Sequence, residues 1–209
     1  MQRSTSSAVR FLTAGALAAV LLGGAGAGQA AATPTAVPAQ RTALAHGTPY
    51  DLLRPLADLS AQRLATADLV AAAKYGTDSP IDDPAREKQV LDDVARQARE
   101  VGADPKVTVR IFRDQIEANK VVQRALHHRW DADPSQAPTE RPDLAEVRKE
   151  INRVNGELVR AVAASPSART APYCGGLLTA AAVHVRHDRQ LDALHTIALE
   201  RALRSVCGA

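Results

Sequence analysis

Basic and acidic side chains in the first half of the sequence have a spacing that suits an anion-binding pocket. Arg63 and Lys74 are eleven residues apart, which is about three helical turns, so both side chains project from one helix face. Asp83 and Arg86 follow a break at residues 76–80. Arginine and lysine can hold carboxylates and stabilise negative charge on an oxygen. These residues predict half of a binding pocket.

The same spacing is compatible with a structural role. Arg63 and Lys74 belong to a stripe of residues spaced alternately four and three apart. This spacing is typical of a seam packed against a neighbouring helix. The stripe comprises Leu56, Ser60, Arg63, Ala67, Val70 and Lys74. Arg63 and Lys74 could extend their charged ends to water at the edge of this seam. Arg86 could then pair locally with Asp83.

Two neutral amides interrupt a second stripe, which comprises Phe112, Ile116, Asn119, Gln123, Leu126 and Trp130. A buried amide without a hydrogen-bond partner costs about 1–3 kcal/mol. Asn119 and Gln123 therefore either fix the register of neighbouring helices or face a polar cavity shared with the three cations. Such a cavity has no activated nucleophile or convincing general base, and it suits a small dianion, with Lys74 and Gln123 stabilising charge on an oxygen.

The elements that position these residues are predicted to be helices. Aromatic residues make up only 3% of the sequence, and sheets favour aromatic and β-branched side chains. We predict an all-α, single-domain bundle of about six helices. Asp-Pro start signals, an Asp cap and a terminal glycine predict helices at residues 50–75, 84–101, 104–130 and 143–164. Residues 131–142 and 165–172 are predicted loops.

The two cysteines constrain the C-terminal segment. Cys174 and Cys207 are 33 residues apart, and one straight helix would separate them by about 50 Å. If they pair, the segment must fold back, which we place at residues 187–189 with Asp188 capping the last helix. Export favours the disulfide, which should contribute roughly 3–4 kcal/mol; free thiols and an intermolecular bridge are the alternatives.

The N-terminal segment has the pattern of a secretory signal peptide. Residues 1–32 combine basic, apolar and small-residue regions, with a cleavage site after Ala30 or Ala32. Residues 33–48 predict a disordered tether, and residues 49–209 the helical domain. Without Arg3 and Arg10, 24 of the 26 basic residues remain against 23 acidic ones, so charge gives no reason to expect nucleic acid. No later segment is apolar enough for membrane insertion.

From about residue 52 to residue 207, the chain resembles the secreted γ subclass of all-α chorismate mutases. The resemblance is carried by the ordered set of Arg63 with Lys74, residues 80–86 (PIDDPAR), residues 114–116 (DQI) leading to Asn119 and Gln123, residues 151–155 (INRVN) and the two cysteines. It implies conversion of chorismate to prephenate, a one-substrate Claisen rearrangement without cofactor or metal. It also implies a homodimer.

The resemblance assigns roles by position. Lys74, Gln123 and Arg86 would be catalytic, with Lys74 and Gln123 donating hydrogen bonds to the ether oxygen as its bond to carbon breaks. Substrate-binding residues would be Arg63, Asp83, Asn119 and Arg153. Arg63 and Arg86 would hold a substrate carboxylate or the region of the ether oxygen, and Asp83 would bind the substrate hydroxyl. Asn119 stands where the family usually has Ser or Thr.

The sequence departs from the family in the fourth predicted helix. Glu157 stands about where these relatives have an arginine. Arg153, one turn earlier, or Arg160 could take the place of that arginine.

Two other functions deserve comparison with this one. His127 with His128 and His184 with His187 could suggest a metal, but no third ligand follows at suitable spacing. The alternative function is a secreted helical binding module for an acidic ligand or partner, without catalysis. Loss of added chorismate distinguishes the enzyme from the binding module.

Overall fold

The computed structural model describes residues 47–208, which form a bundle of seven α-helices. The predicted signal peptide (1–32) and nearly all of the predicted tether (33–48) lie outside these residues. The helices, in chain order, are α1 (Pro49–Lys74), α2 (Pro84–Glu100), α3 (Pro105–Ala132), α4 (Leu144–Ala164), α5 (Pro166–Thr170), α6 (Cys174–Asp188) and α7 (Ala193–Ala202). The described part of the chain contains no strand, and the all-α prediction is confirmed.

Helix α1 is the central element, and it packs against α3, α4, α6 and α7. Its buried leucines, Leu53, Leu56 and Leu64, join Phe112 of α3 and Leu158 of α4 in one apolar core. This burial removes large aliphatic and aromatic surfaces from water, and it is the main favourable contribution to folding.

The helix starts follow the predicted capping chemistry. Asp83, Asp104 and Asp143 are N-caps whose carboxylates accept backbone N–H groups of the first turn. Helix α1 ends before Gly76, which has φ +67. Only a residue without a Cβ adopts this left-handed conformation at little cost, so the chain can turn back immediately after Lys74.

Two local predictions were wrong. The C-terminal segment does fold back, but the last helix is capped by Asp192, whose carboxylate accepts the His195 N–H, and not by Asp188. Asp188 is still helical in α6, and the turn includes Gln190 at φ 52. The predicted loop at residues 165–172 contains the short helix α5, which begins with Pro166 at a position where the missing N–H costs nothing.

The fold-back brings the two cysteines together. Cys174, the first residue of α6, forms a disulfide with Cys207, and their Cα atoms are 5.8 Å apart. The predicted pairing is therefore confirmed, and free cysteines are absent from the described residues. Within residues 47–208, no helix combines the length and the apolarity needed to cross a membrane.

Candidate active site

A cavity lined by charged and aliphatic side chains lies between the C-terminal half of α1, the start of α2, the middle of α3 and the start of α4. Its volume is about 100 Å³, several times what one water molecule needs. Six of the seven predicted catalytic or substrate-binding residues line it: Arg63, Lys74, Asp83, Arg86, Asn119 and Gln123. The fold thus gathers residues from three helices and one connecting segment.

Arg63 is buried, with only 5% of its surface exposed. Its Nε donates to Asn155 Oδ1 and its Nη1 donates to the Gln115 carbonyl oxygen, both at 2.9 Å. Burial lowers the pKa of Arg63 to about 10, because desolvation disfavours the charged form. The guanidinium still carries its charge at neutral pH, and it forms no ion pair with a described carboxylate. The alternative in which Arg63 reaches water at the edge of a seam is wrong.

Lys74 is the last residue of α1, and its Nζ donates to the Pro80 carbonyl oxygen at 2.7 Å. Burial lowers the pKa of Lys74, the nearby charge of Asp83 opposes this effect, and Arg148 adds to it. The ammonium group therefore lies in a partly desolvated site between charges of both signs. A cation in such a place interacts more strongly with a ligand than it would in water.

Asp83 and Arg86 form the first turn of α2 without pairing with each other through their side chains. Asp83 Oδ1 accepts the Arg86 backbone N–H at 3.0 Å, and the Arg86 guanidinium donates to Gln89. The alternative of a local Arg86–Asp83 ion pair is therefore wrong. The capping bond fixes the position of the Asp83 carboxylate at the cavity wall.

The two amides of α3 bond each other on the cavity wall. Gln123 Nε2 donates to Asn119 Oδ1 at 2.6 Å, and Asn119 Nδ2 makes a long contact of 3.4 Å with the Arg63 carbonyl oxygen. Gln123 Oε1 is buried and has no hydrogen-bond partner in the described residues. A buried polar atom without a partner is unfavourable, so this amide of the cavity wall has an unused hydrogen-bond acceptor.

Arg153 is not among the cavity residues. Its guanidinium binds Glu150 and Glu157 on the exposed side of α4. Arg148 lines the cavity instead, and neither a hydrogen bond nor an ion pair engages it within residues 47–208. Arg160, the other candidate, is exposed. A signal for Arg148 was present in the sequence, since the cavity residues Leu144, Arg148 and Ile151 advance by four and three along one helix face.

Lys120 and Glu87 also line the cavity, and neither was predicted. Lys120 Nζ lies 2.6 Å from Glu117, 3.0 Å from Glu87 and 3.1 Å from Asp82. Burial lowers the pKa of Lys120, but hydrogen bonds to these three carboxylates outweigh burial and raise it. Lys120 is thus neutralised by the protein, and it ties the start of α2 to α3.

The charge of the cavity is predominantly positive. Five cationic side chains line it against the carboxylates of Asp83 and Glu87. Ion pairs with described carboxylates are absent for Arg63, Lys74, Arg86 and Arg148, and present for Lys120. Such an arrangement favours an anionic ligand that supplies the missing countercharge.

The family model for chorismate mutase type II matches residues 54–124, which include all six predicted residues found in the cavity. The secreted chorismate mutase of Mycolicibacterium smegmatis is 38% identical over 164 residues, which are 78% of this chain and 91% of that protein. The chain belongs to the chorismate mutase family. The secreted chorismate mutase of Mycobacterium tuberculosis is 35% identical over 157 residues, covering 75% of this chain and 79% of that protein.

A solved structure of this family has the same fold. The crystal structure of the chorismate mutase from Burkholderia phymatum superposes with a TM-score of 0.73 at 35% sequence identity. The match covers 78% of this chain and 100% of that one. The helical bundle around the cavity is therefore a chorismate mutase fold along the full length of that relative.

Two of the histidines that could have suggested a metal, His127 and His184, are engaged in contacts within the protein. His127 Nε2 lies 2.9 Å from the Ala71 carbonyl oxygen, and its ring packs against Tyr75 and Trp130. His184 Nδ1 is hydrogen-bonded to the Tyr50 hydroxyl. Residues 47–208 contain no group of three or more side chains placed to hold a metal ion.

Proposed function

We propose that this protein is an exported chorismate mutase that converts chorismate to prephenate in the cavity between α1, α2, α3 and α4. The observation that carries the proposal is the set of unpaired cations in this cavity. Buried Arg63 and partly buried Arg148 meet no described carboxylate, and a substrate with two carboxylates supplies the missing charge. Family membership identifies the substrate with this chemistry.

In the proposed complex, the arginines bind the two carboxylates of chorismate. Arg63 is supported for this role by its burial and its rigid neutral partners. Arg148 is supported for the second carboxylate, because it is the α4 cation on the cavity wall, and we assign it the role that the sequence had suggested for Arg153. Arg86 completes the cationic lining at the start of α2.

Lys74 and Gln123 are proposed to donate hydrogen bonds to the ether oxygen of the substrate. That oxygen gains negative charge as its bond to the ring carbon breaks and the new carbon–carbon bond forms within the same molecule. To present Nε2, the Gln123 amide must turn by half a turn, and the Asn119 amide must turn with it. Asn119 Nδ2 then gives up its long contact with the Arg63 carbonyl oxygen and donates to Gln123 Oε1. This exchange keeps the amide pair bonded and provides a partner for the buried oxygen.

Asp83 is proposed to accept the hydroxyl group of the substrate, because its carboxylate is held on the cavity wall by the capping bond. Asn119 contributes through Gln123. No group needs to take or give a proton during the rearrangement. Catalysis then consists of holding the substrate in its reactive conformation and stabilising charge on the ether oxygen.

The direct test adds chorismate to purified protein and follows its loss and the formation of prephenate. Exhaustive chelation and dialysis precede the assay, and full activity is expected afterwards. A strict requirement for an added metal or nucleotide would contradict the proposal. Binding of chorismate without turnover would identify the protein as a binding module instead.

We also propose that the protein is a homodimer, as the family resemblance implies. The large apolar side chains of Val183 and Ile197, 57% and 60% exposed, are compatible with a further protein contact. Light scattering of the eluting peak in size-exclusion chromatography gives the mass directly. A peak at the mass of one chain across micromolar concentrations would exclude the dimer.

A further inference from the structure

Two deeply buried cations lie at the cavity, and their hydrogen-bond partners differ in charge. Lys120, 8% exposed, is surrounded by the carboxylates of Asp82, Glu87 and Glu117. Arg63, 5% exposed, has two neutral oxygen acceptors instead. Burying a charge without a countercharge is unfavourable, so the arrangement around Arg63 costs stability that a carboxylate would recover.

Asn155 is the residue that determines this difference. It lies on α4, is 3% exposed, and presents Oδ1 to Arg63 Nε at 2.9 Å. It continues the line of Leu144, Arg148 and Ile151 by one further step of four, so one face of α4 both lines the cavity and supports Arg63. The second acceptor, the Gln115 carbonyl, belongs to the backbone of α3 and is also neutral.

Aspartate has nearly the same size and shape as asparagine, and it would offer a carboxylate oxygen to the same Nε. It would therefore preserve the geometry of the contact while neutralising the guanidinium. The neutral amide fixes the orientation of Arg63 and leaves its full charge to a ligand in the cavity.

We propose that Asn155 is a positioning residue that holds Arg63 in place without neutralising it, so that substrate affinity depends on the absence of charge at position 155. This inference deepens the proposed function and rests on it. It assigns Asn155 no contact with the substrate. Its consequence is that one substitution should change folding stability and substrate affinity in opposite directions.

The test compares Asn155→Asp with Asn152→Asp. Asn152 is an exposed residue of the same helix, three positions earlier, and its substitution makes the same change in net charge. We expect Asn155→Asp to raise the KM for chorismate at least about tenfold with a smaller change in kcat, because it weakens binding of the ground state and the transition state alike. Its Tm should equal or exceed that of the parent. Asn152→Asp should leave KM and Tm close to parent values.

A third variant separates charge from shape. Asn155→Ser keeps a small neutral acceptor but fits the site less well, so it should lower Tm and still leave KM closer to the parent value than Asn155→Asp does. An unchanged KM for Asn155→Asp would overturn the proposal. Loss of helical structure in that variant at 25 °C would overturn it too, because a countercharge to Arg63 should be tolerated.

Failure of the proposed function gives a different result from failure of this inference. If the parent does not convert chorismate, the proposed function fails in the parent assay, before any variant is made. The thermal comparison of Asn155→Asp with Asn152→Asp still measures whether Arg63 lacks a countercharge. If the parent is active and the two aspartate variants behave alike in KM and Tm, only the role of Asn155 is refuted.

Discussion

The cavity and the α6–α7 hairpin use charged residues in different ways. On the hairpin, charged side chains pair with α1: Arg189 with Asp58 at 2.7 Å, Asp188 with Arg54 at 3.1 Å, and His195 with Asp68 at 3.2 Å. In the cavity, Arg63, Lys74, Arg86 and Arg148 have no such partner among the described residues. The hairpin is thus built to hold the bundle together, and the cavity keeps charge available for a ligand. Four measurements test this division.

The largest expected effect is on stability, from removal of the Cys174–Cys207 disulfide. Replacing both cysteines by alanine releases a loop closed over 33 residues, which should cost about 4 kcal/mol in chain entropy and lower Tm by roughly 10 °C. The cavity receives no residue from the hairpin. The kcat/KM at 25 °C should therefore stay near the parent value, and a parallel loss of activity in the folded variant would show that the two regions are coupled.

Substitution of the cavity cations should have the opposite effect, with activity lost and stability kept. Lys74→Ala, Arg86→Ala and Arg148→Ala should each lower kcat/KM by at least about 10²-fold, the usual scale for loss of a charge contact in the transition state. Thermal unfolding should change little.

Arg153→Ala is the matched control for Arg148→Ala, because both arginines are on α4. Arg153 engages one exposed and one half-buried carboxylate of its own helix, and such surface pairs contribute at most about 1 kcal/mol to stability. Near-parent kcat/KM is expected. If Arg153→Ala lowered kcat/KM as much as Arg148→Ala does, Arg153 rather than Arg148 would have to be assigned to the second carboxylate of the substrate.

The pH profile of Gln123→Glu tests whether the Gln123 amide donates a hydrogen bond to the ether oxygen of the substrate. An amide donates a hydrogen bond at every ordinary pH, whereas a carboxyl group donates only when protonated. The variant should be most active at acidic pH and lose kcat/KM as its carboxylate ionises and repels the ether oxygen. The parent should vary little over about pH 4–8 apart from titrations at the acid end. Parallel profiles would mean that Gln123 does not face that oxygen.

The smallest effect concerns His195, where the hairpin meets α1. The hydrogen bond to Asp68 raises the pKa of His195 to about 9, burial opposes this increase, and Asp192 adds to it. Because the pKa is raised in the folded state, the stabilisation is complete below about pH 6.5 and is lost as pH rises towards 9. Chemical denaturation of the parent and His195→Gln across this range should show a decline only in the parent. Equal slopes of unfolding free energy against pH in the two proteins would show that the hydrogen bond between His195 and Asp68 does not stabilise the fold.

Local residue patterns were sufficient to predict most of the helices. Asp-Pro pairs mark the starts of α2 and α3, because the carboxylate caps the first turn and proline needs no N–H partner there. Asp188 and Asp192 could each cap α7 by the same chemistry. The packing of the hairpin selects Asp192, and a single sequence contains no measure of that packing.

The sequence by itself determined the helical class, because periodicity and capping are local properties. It also made six side chains of the cavity candidates and favoured the cysteine pairing, but it left a structural role for those side chains and free thiols as alternatives. Arg63 and Lys74 could be placed on one face from the period of a single helix. Only the tertiary structure decided which α4 arginine faces the cavity. Arg148 and Arg153 project roughly 140° apart around the helix, and the docking of α4 against α1 places Arg148 at the cavity. The tertiary structure also decided that Arg63 meets Asn155, 92 residues later in the chain. Such contacts depend on how helices dock, and docking is fixed by packing of the whole core rather than by any local pattern.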